Sequence, residues 1–232
     1  MTVRVTEISP LVTARIAGFL YLIIITFGIF SEVFIRASLI VKGDATATAS
    51  NIIASQPLFR LGFAADSIML LSDVAIAVLF YVLLKPVSKT LALTAAAFRL
   101  TQASILGLNL LNYYAALLLL SGAGYATALE TDQLNTLAML FMDMHSHGYD
   151  LGLMFFGVSN IILGYLVIKS DYFPGLLGYG LMAAGVVYLI GSLTRFLFPD
   201  YLSFVTPIYS IPLVAELSFC VWLLVKGVKA RS

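Results

Sequence analysis

Charge is scarce in this chain. Asp, Glu, Lys and Arg together supply 11% of its 232 residues, while 61% are hydrophobic; soluble domains carry about 25% charged residues. A water-soluble fold has no interior large enough to hide that much apolar surface, so the implied solvent is lipid. Cysteine is rarer still: the single Cys220 excludes an intramolecular disulfide and any CxxC metal motif. Histidine occurs only at His145 and His147, so a third nitrogen ligand for zinc does not exist and haem ligation from two helices is ruled out. The net charge of +1 argues against a nucleic-acid partner, which needs clustered Lys and Arg over phosphates. A GxSxG elbow, a phosphate-binding glycine loop, a dinucleotide fingerprint and HExxH are also missing. The apolar run after Arg15 is too long for a cleaved signal peptide and ends in no small-x-small site.

Long apolar runs are what the chain does have. A membrane helix needs about 20 mainly apolar residues, and six stretches qualify, at roughly 11–35, 62–84, 90–120, 140–168, 174–197 and 203–225. The expected fold class is therefore all-α: a polytopic membrane protein whose residues 1–232 form a single domain of six transmembrane helices. Basic residues set its orientation. Arg4, Arg15, Lys85, Lys89, Lys169, Lys226, Lys229 and Arg231 fall on one side, and Arg36, Lys42 and Arg60 on the other. The positive-inside rule places both termini in the cytoplasm.

Polar residues recur at helical spacing inside these runs. Span one carries Tyr21, Gly28 and Glu32 on one face. Between spans one and two, Asp44 starts a short interfacial helix that Pro57 is expected to end. Span two places Asp66 and Asp73 seven apart. Span three carries the stripe Arg99, Gln102, Leu106, Asn109 and Tyr113, and a loop without basic residues, SGAGYATALETDQLNTLA, follows it. In span four, Asp143, His147 and Asp150 stand at i, i+4 and i+7, with Met154, Gly157 and Gly164 continuing that face. This stripe predicts that His147, rather than His145, faces the bundle. Span five aligns Gly185, Tyr188, Ser192 and Arg195. Span six has Pro207 and Pro212 before Glu216, which predicts a kink in its outer half. The glycines of spans four and five read as close helix-packing positions.

Several stretches together carry a family resemblance: ASQPLFRLGFAADSIMLL, LLKPVSKTLALTAAAFRLTQA, HSHGYDLGLMFFGVSNIILGYLVIKSDYFPGLLG and GVVYLIGSL. Over nearly its whole length the chain resembles the bacterial six-span family catalogued as domain of unknown function 4386. The resemblance implies the membrane fold and a bacterial cytoplasmic membrane as the setting. It brings no activity and no catalytic residues.

Function must then be read from the intramembrane charges, each of which costs about 2.5–3.5 kcal/mol on insertion scales and so faces inward to a partner. With a rise of about 1.5 Å per residue, Asp73, Arg99 and Glu216 share the midplane. Two readings fit them: a proton or substrate relay in which Arg99 holds an anion, or a charge cluster that pins three helices in register. A second layer nearer the outer surface holds Glu32, Asp66, Asn109, His147, Asp150 and Arg195. There, Asp143, His147 and Asp150 are the weak candidates for a metal, and Arg195 pairing with Asp150 or Glu32 is the blander alternative. Three functions follow. The first is binding or translocation of a small polar or amphipathic ligand. The second is membrane-embedded metal-dependent hydrolysis, and the third is a structural or accessory role. Lipid and a small molecule are the implied partners; the residues name neither a cofactor nor a protein partner.

Overall fold

A computed structural model of the chain describes residues 9–122, 124 and 128–229. Arg4 and Arg231, counted above among the inner charges, lie outside the described residues, as do residues 123 and 125–127 of the loop after span three. The described chain is helical, with no strand. Helix α1 (Pro10–Ile29) runs on into a π-helical segment (Phe30–Arg36) and a last turn, α2 (Ala37–Leu39). There follow α3 (Ala45–Ala54), α4 (Gln56–Leu84), α5 (Lys89–Leu120), α6 (Thr131–Lys169) and α7 (Gly175–Leu197). The last run is broken: a 3-10 turn at Pro199–Tyr201, α8 (Leu202–Val205), a second 3-10 turn at Thr206–Tyr209 and α9 (Ser210–Val225). Pro207 lies in the second of these turns and Pro212 in the first turn of α9, so the first half of this run is irregular, as the two prolines lead one to expect.

Among the described residues, six helical runs are long and apolar enough to cross a membrane: Pro10–Leu39, Gln56–Leu84, Lys89–Leu120, Thr131–Lys169, Gly175–Leu197 and Pro199–Val225. Their surfaces are inverted relative to a soluble protein. Leu71, Leu108 and Leu176 are 73%, 70% and 80% exposed, while Arg36, Asp66, Asp73 and Arg99 are at most 6% exposed. Only a hydrocarbon solvent makes that distribution favourable.

Three boundaries depart from the sequence reading. Helix α6 begins at Thr131, not near 140, because its first two turns are polar and a hydropathy window does not register them. Gln133 Oε1 accepts from the Glu130 amide at 3.0 Å, closing that N-terminus. Asp44 does cap α3, its Oδ1 accepting from Ala47 N at 2.8 Å, but α3 stops at Ala54. Pro57 instead sits in the first turn of α4, where its missing N–H costs nothing. The third departure is Arg36, which belongs to the first membrane run and is buried, not to the following loop.

The chain separates into two compact units. The first comprises Met1–Leu22, Asp73–Leu100 and Met154–Ser232; the second comprises Ile23–Ser72 and Thr101–Leu153. In the first unit, α6 and α7 meet backbone to backbone through glycines. A methyl group at Gly164 would come within 2.5 Å of the Gly178 carbonyl oxygen, and one at Gly157 within 2.8 Å of the Gly185 carbonyl oxygen. Phe219 of α9 packs edge-on to Tyr21 of α1 and Phe173, at centroid separations of 6.2 and 5.5 Å. In the second unit, Phe59 and Tyr113 stack at 4.0 Å among Ile35, Leu39, Ile52 and Met142. The Tyr113 hydroxyl donates to the Phe59 carbonyl at 2.8 Å, and Gly62 leaves room for it.

Candidate functional site

Each unit is built around one buried arginine and one aspartate of α4. In the first unit that arginine is Arg99, ten residues into α5 and therefore about 15 Å from its start, too far to snorkel to headgroups. Its Nε donates to Asp73 Oδ1 at 2.9 Å, and Nη2 donates to the same oxygen. Three aromatic rings surround the guanidinium: Phe156 at 4.8 Å, Tyr21 at 5.6 Å and Phe80 at 6.0 Å from its central carbon. Glu216 lies within electrostatic reach of Arg99 but takes its hydrogen bonds elsewhere. Asn160 Nδ2 donates to Glu216 Oε1 at 3.0 Å, and Tyr188 adds a second bond. Every membrane run thus contributes one polar side chain to this core: Tyr21, Asp73, Arg99, Asn160, Tyr188 and Glu216. Three atoms in it have no hydrogen-bond partner among the described residues, namely Arg99 Nη1, the Tyr21 hydroxyl and Asn160 Oδ1. Arg99 also lines a narrow cleft in this unit, with free space of about 10 Å³.

The second unit centres on Arg36. The π-helical segment explains how one side chain there grips two residues of its own helix. A π turn aligns positions five apart, so Arg36 Nη1 donates to Ser31 Oγ at 2.9 Å while Nε donates to Glu32 Oε2 at 2.7 Å. The same Nη1 donates to Asp66 Oδ2 on α4. On the α5–α6 side of this unit, Asn109 Nδ2 donates to the His145 carbonyl at 2.7 Å, and His145 Nδ1 stands 3.2 Å from the Asn109 carbonyl. A carbonyl only accepts, so Nδ1 carries the proton. His145 Nε2 and Asp66 Oδ1 have no partner among the described residues.

Of the residues singled out from sequence, Asp73, Arg99 and Glu216 come together in the first unit. The predicted α5 stripe is buried throughout: Arg99, Gln102, Leu106, Asn109 and Tyr113. Glu32 lies at the rim, its side chain 68% exposed, and meets Arg36 one turn on. Asp150 and Arg195 are half-buried, on α6 and in the last turn of α7. The histidine assignment is reversed. His145 is 3% exposed, whereas His147 is exposed and its Nδ1 bonds the carbonyl of Asp143 on its own helix. Asp143 is exposed as well. The inward stripe of α6 runs through Ala138, Met142, His145 and Gly152. Polarity near the end of an apolar run marks the interface as readily as the interior, so the Asp143–His147–Asp150 stripe does not report the inward face of α6. Among the described residues no three His, Cys, Asp or Glu side chains converge as a metal would require, so Asp143, His147 and Asp150 do not form the donor set considered for hydrolysis. The sequence reading missed Arg36, Ser31, Asn160 and the inward role of His145. The Glu32–Arg36 spacing of four was the available signal for the first.

His145→Ala is therefore expected to cost about 1–3 kcal/mol, because the buried Asn109 carbonyl loses its donor. His147→Ala is expected to stay within about 0.5 kcal/mol, as exposed sites do. Unfolding midpoints in detergent measure both; equal losses, or a larger one for His147, reject the placement.

The fold and its buried charges define a multi-pass membrane protein of six apolar helical runs. The sequence model of the family described as Domain of unknown function (DUF4386) matches residues 16–227, and the chain belongs to that family. It is 30% identical over 162 residues to an uncharacterized protein of Archaeoglobus fulgidus, an alignment covering 70% of this chain and 81% of that one. That relative is archaeal, so the comparison does not carry the bacterial setting expected from the resemblance. No solved structure matches the chain.

Proposed function

We propose that the polar core of the first unit binds a small polar or amphipathic ligand within the membrane, with Arg99 as the anchoring donor. One observation carries this reading: Arg99 Nη1, in a side chain 1% exposed, has no acceptor among the described residues, and Arg99 lines a narrow cleft with free room for about one water-sized group. A buried N–H left unsatisfied costs about 1–3 kcal/mol, more when charged, and native interiors seldom leave one so. A ligand oxygen at Nη1 removes that cost and gains a charge-assisted hydrogen bond. Asp73, holding the other edge of the guanidinium, fixes its orientation.

A thermal-shift screen of small ligands on the purified protein tests the proposal, with Arg99→Lys as the control. Lysine keeps the charge for Asp73 but loses the second terminal nitrogen. Ligands that raise the wild-type midpoint are expected to lose that effect in Arg99→Lys. Equal shifts in both proteins, or no shift with any ligand, would sink the reading.

We also propose that both termini and the turns at 85–89 and 169–171 face the cytoplasm. With Arg36 buried, Lys42, Arg60 and Arg195 in the last turn of α7 are the basic residues left toward the opposite side, against Arg15, Lys85, Lys89, Lys169, Lys226 and Lys229 among the described residues. In a Cys220→Ser background, an impermeant thiol reagent applied to intact cells should label Asp132→Cys and spare Lys89→Cys. The reverse pattern inverts the topology.

A further inference from the structure

We infer that the lysine-rich end of the first unit holds the headgroup phosphate of an anionic phospholipid, in a pocket between two of its helix-connecting turns. The pocket has free space of about 260 Å³. Pro86 and Val87 of the α4–α5 turn line one side, and Lys169, Ser170, Asp171 and Tyr172 of the α6–α7 turn line the other. A water takes up about 30 Å³ of liquid, so this space admits a polyatomic group. Sites that engulf a drug-sized ligand begin at about 300 Å³, so the pocket suits a headgroup whose acyl chains stay outside. The Lys229 amide donates to the Tyr172 carbonyl at 3.0 Å, which brings the segment after α9 to the same place. All of these residues belong to the first unit.

Charge selects an anion. Every lysine of the chain except Lys42 lies at this end: Lys85, Lys89, Lys169, Lys226 and Lys229. All of them are exposed, and among the described residues none is in an ion pair. Helices α4 and α6 end here while α5 and α7 begin here, so their dipoles oppose one another and the lysines set the sign. Asp171 is the acid in the lining, and its carboxylate can accept from a hydroxyl of the head. The positive-inside rule accounts for lysines on one side of the membrane but not for a cavity among them. Lys169 favours lipid over a soluble anion. Its ammonium lies 5.8 Å from the ring centroid of Tyr165, one turn back along α6. Tyr165 is 43% exposed within a membrane run, so the charge is held at the boundary of headgroups and acyl chains. A lipid phosphate resides at that depth, and basic pockets between membrane helices bind such heads.

The test is native mass spectrometry of the full chain in detergent, titrated with phosphatidylglycerol, phosphatidylcholine and phosphatidylethanolamine of identical acyl chains. One phosphatidylglycerol per chain is expected to stay bound, at least about tenfold tighter than either zwitterionic lipid. Lys169→Gln should weaken its binding by at least about tenfold. Lys226→Gln, the same charge change at the same end, and Lys42→Gln across the membrane should each stay within about twofold. Inorganic phosphate in excess should leave the lipid bound. Equal retention of phosphatidylcholine or phosphatidylethanolamine overturns the anionic assignment. Equal losses in Lys169→Gln and Lys226→Gln would mean a diffuse charged surface and overturn the pocket as the site. Displacement by inorganic phosphate would make the ligand a soluble anion and overturn the lipid assignment. The Arg99 cleft takes no part in any of these outcomes.

Discussion

Replacing Arg99 by leucine is expected to destabilise the protein by about 3–5 kcal/mol, the range for breaking a buried ion pair from one side. The physical cause is what remains. Asp73 is 3% exposed and would be left buried without its counter-charge, within electrostatic reach of Glu216. Three cation–π contacts disappear in the same step. Removing both partners is a different experiment: Asp73→Leu combined with Arg99→Leu leaves an apolar pair of similar volume, which is often nearly neutral. The double variant should therefore recover part of the loss, giving a non-additive cycle between residues in direct contact. Denaturant midpoints in detergent measure it, and strictly additive losses would show that the two side chains are not coupled.

Gly164→Ile should be comparably severe for an unrelated reason. Its first side-chain atom would lie 2.5 Å from the Gly178 carbonyl oxygen and 2.8 Å from the Met182 amide nitrogen. Those neighbours are backbone and cannot rotate away, so α6 and α7 must separate. Overpacking of this kind costs about 3 kcal/mol or more where the surroundings do not yield. Gly107, in α5, is the contrast, because nothing lies within 4 Å of where its methyl would go. Gly107→Ala is expected to be neutral, or stabilising by up to about 1 kcal/mol through helix propensity. Matched midpoints for the two variants would mean that the α6–α7 crossing is not close-packed.

The sequence made six apolar runs visible because lipid exposure requires them to be long and continuous, and no tertiary detail alters that requirement. Asp73, Arg99 and Glu216 were legible for a related reason: a charge in mid-span has few places to go, and counting residues from each span end gives its depth. The same logic weakened toward the ends of the apolar runs. At Asp143 and His147 a polar stripe can face the interface, and small residues, Ala138 and Gly152, marked the inward side of α6 better than charge did. Arg36 escaped because hydropathy falls where the helix turns polar, and because a π turn shifts alignment from a spacing of 3.6 to one of five. Asn160 and Tyr188 gave too weak a signal alone. Their place becomes evident only once α6, α7 and α9 converge on Glu216.

The binding role of Arg99 is tested most directly by the ligand response of the Asp73→Leu, Arg99→Leu double variant, once its unfolding midpoint has been measured. A folded double variant whose midpoint no longer rises with ligands that stabilise the wild type is the predicted result, because packing has been restored and the donor removed. A folded double variant that responds as the wild type does would contradict it and leave Arg99 and Asp73 as a clamp between α4 and α5.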